Sequence, residues 1–178
     1  MSAITYRRLA NSEVDRIRDI DRTECVRIGY RVEGDQLVRM NVQWDSSPWR
    51  EKGDEHSIPH MLHFLEGILA NDGILFGAFD SVRLVGLAAF RPYLTETMAQ
   101  LALLHVSNGY RRQGIASYLF NEAVAMAHQT GAQQLYVSAT PSESAVGFYM
   151  SQGFVWTRIP HPALFALEPE DIHMIKPL

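Results

Sequence analysis

Apolar residues recur along this chain with two different periods, and the changes between them lay out the elements. Ala3 to Leu9 alternates as a strand does. Val14, Ile17 and Ile20 then share one face at helical spacing, which predicts a helix from Val14 to Arg22 capped by Asn11 or Ser12. Two β-like runs follow, Val26–Val32 and Leu37–Trp44, and Gly34-Asp35 between them suits a turn, so a hairpin is expected. Asp45 to Trp49 reads as loop. A second helix is predicted from Ile58 to Ala70, with Pro59 in its first turn and Asn71-Asp72-Gly73 as its stop.

Ile74–Phe79 and Val82–Phe90 are apolar along most of their length and predict a hairpin around Asp80-Ser81. Gln100 to Val106 is a further, largely buried strand. Ala116, Leu119, Phe120, Ala123, Val124 and Ala127 return to helical spacing, and Gln133 to Ala139 returns to strand. A helix carrying Tyr149 comes next, then a strand over Phe154–Arg158. Pro160 and Pro162 predict an irregular connection, and Ile172–Lys176 closes the sheet. No repeat, low-complexity segment or linker interrupts this order. The expectation is one domain over residues 1–178, a mixed α/β sheet with helices on both faces.

One junction carries candidate chemistry. Val106-Ser107-Asn108-Gly109-Tyr110-Arg111-Arg112-Gln113-Gly114-Ile115-Ala116 joins a strand to a long helix. Such a turn aims several backbone N–H groups at one point, and the positive end of the helix dipole adds to them. Gly114 leaves room for close approach, Ala116 keeps the first turn narrow, and Arg111 and Arg112 supply countercharge. The pattern suits a phosphate or pyrophosphate. It lacks the Gly-Lys-Ser/Thr of a P-loop and the glycines of a dinucleotide fingerprint.

Composition narrows the partners. The 178 residues are 47% hydrophobic and 20% charged, with a formal charge of −4, which argues against general affinity for nucleic acid or an anionic membrane. Cys25 is the single cysteine, so no intrachain disulfide forms, consistent with a reducing compartment. Neither a signal-peptide core nor a membrane-length apolar run is visible, so a cytoplasmic protein is expected.

Arg111-x-x-Gly114-x-Ala116 resembles the acyl-CoA signature of the GNAT superfamily of N-acetyltransferases, [Gln/Arg]-x-x-Gly-x-[Gly/Ala]. Ala145-Val146-Gly147-Phe148-Tyr149-Met150-Ser151-Gln152-Gly153-Phe154 is similar to that superfamily's Ala-x-x-Phe-Tyr-x-x-x-Gly-Phe segment, at the expected distance. The likeness is clearest over residues 74–158, and the stretch from about Cys25 to Asp54 has no obvious counterpart. The resemblance implies the acyl-CoA N-acyltransferase fold: a mixed, mostly antiparallel sheet flanked by helices, with a splay between two central strands for the pantetheine arm. It implies acetyl-CoA as co-substrate, no metal, and direct transfer to a primary amine of a small molecule or peptide. Homodimers are common in the superfamily.

By the same resemblance, backbone groups of Leu104, His105 and Val106 would hold the thioester and pantetheine. Arg111, Arg112, Gln113, Gly114, Ile115, Ala116 and Ser117 would cradle the pyrophosphate. Ser142 stands where many relatives carry an asparagine that contacts the pantetheine. Tyr149 matches the general acid toward the coenzyme thiolate; a phenol, with a reference pKa of about 10, is protonated at neutral pH. Packing with Phe148 and Ala145 is its alternative role. Many relatives place a glutamate base where this chain has Gln100, which cannot usefully accept a proton. Glu96, His105 and Glu24 are alternatives, as are a water chain or an already neutral amine, so the base stays unassigned. Cys25 as a nucleophile and a non-catalytic acyl-CoA-binding module are the rival readings.

Two further groupings stand outside those motifs. His56, His60 and His63 fall at i, i+4 and i+7, a spacing seen in metal sites, but Pro59 intervenes and no fourth ligand is near, which favours a pocket lining or solvated polarity. Trp44, Trp49, Tyr30 and Arg39 either pack a hairpin on the core or wall an acceptor site.

Overall fold

The computed structural model describes residues 3–53 and 55–178; Met1, Ser2 and Asp54, the last residue of the stretch without a counterpart, lie outside the described residues. Among the described residues, nine strands are arranged in two sheets: β1 (Ile4–Arg8), β2 (Glu24–Glu33), β3 (Gln36–Ser46), β4 (Ile74–Asp80), β5 (Arg83–Arg91), β6 (Met98–Val106), β7 (Gln134–Ala139), β8 (Val155–Trp156) and β9 (Ile172–Pro177). The main sheet has seven strands in the order β1-β4-β5-β6-β7-β9-β8, while β2 and β3 form a separate hairpin. Every neighbouring pair is antiparallel except β6 and β7.

Helices cover both faces of the main sheet, because its central strands are apolar on both sides. One face buries Phe76, Ala78, Val85, Phe90 and Leu101 against α2 (Ile115–Gln129) and α3 (Glu143–Ser151). The other buries Leu75, Phe79, Leu84 and Leu87 against α1 (Ile58–Leu69) and Ile17. Ser57 caps α1, its hydroxyl accepting from the His60 N–H at 3.2 Å, with Pro59 in the first turn. Among the described residues no helix is long and apolar enough to cross a membrane.

Three expectations are corrected. The first helix is a 3₁₀ segment over Asn11–Asp19, not an α-helix over 14–22. Asn11 and Ser12 do not cap it: the Glu13 carboxylate reaches back to the Ala10 N–H at 2.9 Å and is fixed there by Arg7 at 2.7 Å. The strand predicted over 154–158 shrinks to two residues. The expected irregular connection holds a short helix, α4 (Pro162–Leu167), since proline at a first helical position gives up only an N–H that has no intrahelical partner. The hairpin does form, but it is longer than expected, with Asp45 and Ser46 in strand and a bulge between Val26 and Ile28.

What positions the site is the single parallel pair. β6 and β7 match only over Met98–Gln134, Ala99–Leu135 and Gln100–Tyr136. Beyond that, β6 stays with β5 while β7 follows β9, and a gap opens between them.

Candidate active site

The open edge of β6 presents its backbone to this gap. The Ser107 N–H donates to the Val85 carbonyl at 2.9 Å, which fixes the phase of the β5–β6 ladder. With a period of two, the N–H groups of Leu104 and Val106 therefore turn away from β5 and into the gap, whereas that of His105 faces β5. Leu104, His105 and Val106 are all partly exposed, unlike Ala99 to Leu101 deeper in the strand.

The gap runs into the turn before α2. Gly109 (φ 85°), Arg112 (φ 63°) and Gly114 (φ 82°) all take left-handed backbone angles. Gly114 is the N-cap of α2 and no side chain caps the helix, so the N–H groups of Ile115, Ala116 and Ser117 have no partner within it. A Cβ at Gly114 would meet nothing within 4 Å; glycine is required there by its backbone angle and by whatever approaches from outside. Uncapped donors at the positive end of a 15-residue helix favour an anion.

The two arginines of this turn differ. Arg111 points inward: its Nε donates to the Val106 carbonyl at 3.1 Å, Nη2 to the Arg22 carbonyl at 3.4 Å, and Nη1 pairs with Glu24 at 3.4 Å. Its guanidinium is thus engaged within the protein, and what it leaves to the mouth of the loop is its main chain. Arg112 and Gln113 are exposed beside Gly114, and the Gln113 amide donates to the Gly109 carbonyl at 3.1 Å.

Across the gap, Ser142 caps α3 and is buried; its hydroxyl accepts from the Ala145 N–H at 3.2 Å and lies 3.0 Å from the Ser144 hydroxyl. Tyr149, one face of α3 further on, is 6% exposed and its ring lies 5.4 Å from Phe148 and 5.3 Å from Phe154. Among the described residues no group hydrogen-bonds its hydroxyl. Burial, and then the charge of Asp171, push the phenol well above its ordinary value, so it keeps its proton at neutral pH.

The alternatives for a base separate clearly. Glu96 precedes β6 at the end remote from the gap, about 30 Å from Val106 at ~3.3 Å per strand residue. Glu24 is paired with Arg111. His105 is pushed down to about 4, by burial first and then by Arg22 and Arg111, which makes it a weak base. Gln100, the last β6 residue still paired to β7, is 4% exposed, and its side-chain oxygen is buried without a donor. Asp171, which no sequence signal singled out, lies just before β9, and its carboxyl is pushed up to about 7 by burial and then by Glu168.

Trp49 and Trp44 part company. Trp49 is 8% exposed and packs with α1, standing edge-on to His105 at 5.2 Å with the Arg22 guanidinium 5.5 Å from its ring. Trp44, opposite Val26 on the hairpin, is half-buried. The hairpin is fastened over the start of α3: the Tyr30 N–H donates to the Pro141 carbonyl at 3.1 Å, Gly29 bridges Ser142, and Arg39 pairs with Glu143 at 2.6 Å. Beneath its tip lies a groove of about 510 Å³ lined by Tyr30, Leu37, Met150, Phe154, Trp156 and Met174. His56 sits outside α1 in a left-handed turn with Nδ1 3.2 Å from Arg22, so the three histidines do not share a helix face.

The model of the acetyltransferase (GNAT) family matches residues 39–154, and the chain belongs to that family. No curated protein sequence matches it. Among solved structures it is similar to nourseothricin acetyltransferase (19% identity, 99% of each chain, TM-score 0.74). It is also similar to a Bacillus anthracis protein named as a streptothricin acetyltransferase, solved with acetyl coenzyme A (15%, 99% of each, TM-score 0.70). A third is the PaiA N-acetyltransferase of Thermoplasma acidophilum with coenzyme A (14%, 99% of each, TM-score 0.64). These likenesses establish the acyl-CoA N-acyltransferase fold.

Proposed function

We propose that this chain transfers an acetyl group from acetyl-CoA to a primary amine by direct attack in a ternary complex, with Tyr149 as the general acid. The observation that carries this reading is the gap itself. Two inward N–H groups, Leu104 and Val106, lead to an uncapped helix N-terminus, a track of donors that fits an amide-bearing arm ending in phosphates. The two neighbours named above with coenzyme A or acetyl coenzyme A bound support the same coenzyme here.

In this reading Leu104 and Val106 hold the arm and polarise the carbonyl, the turn from Arg111 to Ser117 holds the pyrophosphate through its main chain, and exposed Arg112 adds countercharge. Ser142 acts chiefly by fixing the start of α3, and so the position of Tyr149. As the amine nitrogen bonds to the carbonyl carbon and the C–S bond breaks, Tyr149 gives its proton to the sulfur. The dry surroundings that raise the phenol also disfavour a free thiolate, so the transfer is matched at both ends. The acceptor is an amine of a small molecule or peptide that enters from the side covered by the hairpin.

Tyr149→Phe tests this. The expected outcome is a kcat lower by roughly 10²–10⁴-fold with acetyl-CoA affinity near wild type, the pattern of a lost acid. An unchanged kcat, measured where chemistry limits turnover, removes Tyr149 from the acid role. Tight acetyl-CoA binding by wild type without transfer to any of a broad amine panel would favour a non-catalytic acyl-CoA-binding module.

A further inference from the structure

Direct transfer gives the amine's proton no destination, and at the end of the sheet where the gap opens, one strand beyond β7, the fold sets one carboxyl that nothing else uses. β9 pairs with β7 so that Ile172 lies opposite Ala139, the last residue of β7. Asp171 therefore stands beside Thr140, where β7 has left β6 and just before the Ser142 cap of α3. Its N–H donates to the Glu168 carbonyl at 3.2 Å. Among the described residues its carboxylate has neither an ion pair nor a hydrogen bond.

Among the described residues, the titratable groups that shift it or stand beside it carry no cation at neutral pH. They are Glu168 at the end of α4, Tyr149 on α3, and His173 on β9. Burial keeps His173 neutral, and its ring is bonded to the Tyr136 hydroxyl at 2.8 Å and the Glu168 carbonyl at 3.0 Å. A carboxyl so placed is a far stronger base than an ordinary aspartate, yet it is still ionised in a large fraction at neutral pH.

We propose that Asp171 is the general base of the acetyl transfer, removing the proton from the attacking nitrogen while Tyr149 protonates the leaving sulfur. The inference rests on the acetyl-transfer reading. The N–C bond forms, the C–S bond breaks, one proton passes from nitrogen to the Asp171 carboxylate, and one from the Tyr149 hydroxyl to sulfur. Turnover leaves Asp171 protonated and Tyr149 ionised. Passage of one proton from the first to the second, downhill because the phenol is the weaker acid, resets the pair. After burial, the charge of Asp171 is what holds the Tyr149 phenol above its ordinary value.

The test is the pH profile of kcat/KM for the amine at saturating acetyl-CoA, in wild type, Asp171→Asn and Glu168→Gln. Below about pH 7 the wild-type profile should fall with the uptake of two protons, one by the amine and one by the enzyme group. Asp171→Asn should be slower by roughly 10²–10⁴-fold, fall with one proton, and shift in melting temperature with acetyl-CoA as wild type does. Glu168→Gln should keep the two-proton fall but move the enzymatic break to lower pH, because it removes a neighbouring negative charge. A rate for Asp171→Asn within about threefold of wild type overturns the proposal. If Asp171→Asn does not fold, a break that Glu168→Gln leaves unmoved overturns it instead. Absence of transfer by wild type would sink the acetyl-transfer reading and this role together, whereas transfer indifferent to Asp171 sinks the role alone.

Discussion

The chain contains two long antiparallel hairpins, β4–β5 and β2–β3, and they are used in opposite ways. In β5 every residue from Leu84 to Phe90 is buried, because helices lie on both faces. β3 instead alternates between half-buried and exposed positions along nearly its whole length. The first hairpin is continuous with the main sheet and holds β6 in register. The second is a separate sheet, fastened to the turn after β7 and the start of α3. Burial on both faces produces a rigid support for the turn before α2. Burial on one face leaves a cover with half-buried residues, Met40, Val42 and Trp44, which in the acetyl-transfer reading would meet the acceptor.

The strongest way to break this contrast is to crowd the support. A Cβ on Gly86 would lie 2.8 Å from Ile115 Cγ2 and 3.2 Å from both Ala78 Cβ and Leu119 Cδ1. Gly86→Val should destabilise the fold by about 1–3 kcal/mol or more, and weaken acetyl-CoA binding through the displaced first turn of α2. Urea unfolding and a binding titration read the two effects; a variant as stable as wild type would deny the support its rigidity.

A smaller effect sharpens the other half of the comparison. Trp44→Ala should raise the acceptor KM several-fold while the acetyl-CoA KM and the unfolding midpoint move little. Equal changes in both KM values, or a large loss of stability, would show that Trp44 is core and that the two hairpins are used alike.

The smallest effect is electrostatic and lies on the two sides of the gap. His105 has its folded value lowered to about 4 from an unfolded value near 6.5, so the unfolded chain binds the extra proton and stability is lost as pH falls through that window. Asp171 works in the opposite sense: its folded value is raised to about 7 from near 3.8, so the stability contributed by its neutral form is lost as pH rises through that range. Melting curves at about pH 4.5 and 6.5 should therefore show His105→Gln less acid-sensitive than wild type, and Asp171→Asn more so. Parallel shifts in the two variants would contradict these assignments.

The strands and the turn before α2 were legible because their determinants are local. An apolar run on β4 and β5 is visible residue by residue, and Gly114 is demanded by its own backbone angle. The 3₁₀ segment was misread because Glu13 makes the cap from inside the element, drawn back by Arg7. α4 was missed because Pro162 both breaks one element and starts the next. The turning of Arg111 toward Arg22 and Glu24 depends on residues almost 90 positions earlier, which no spacing rule connects. Asp171 was invisible for the same reason: only the β7–β9 register carries it beside Thr140 at the end of β7. Trp44 and Trp49 looked alike in sequence, and α1 decides between them by burying one.

The fastening of β2 to the turn after β7 has a consequence for how such a protein changes over generations. The bond from Tyr30 to Pro141 and the bridge from Gly29 to Ser142 are made by main chain, which every residue except proline supplies in full. Only Gly29 is restricted, since a Cβ there would come within 2.9 Å of the Pro141 carbonyl. Neighbouring hairpin positions are under no such demand from the joint. Mutation can thus rewrite the cover one side chain at a time while the joint, and the sheet beneath it, are inherited intact.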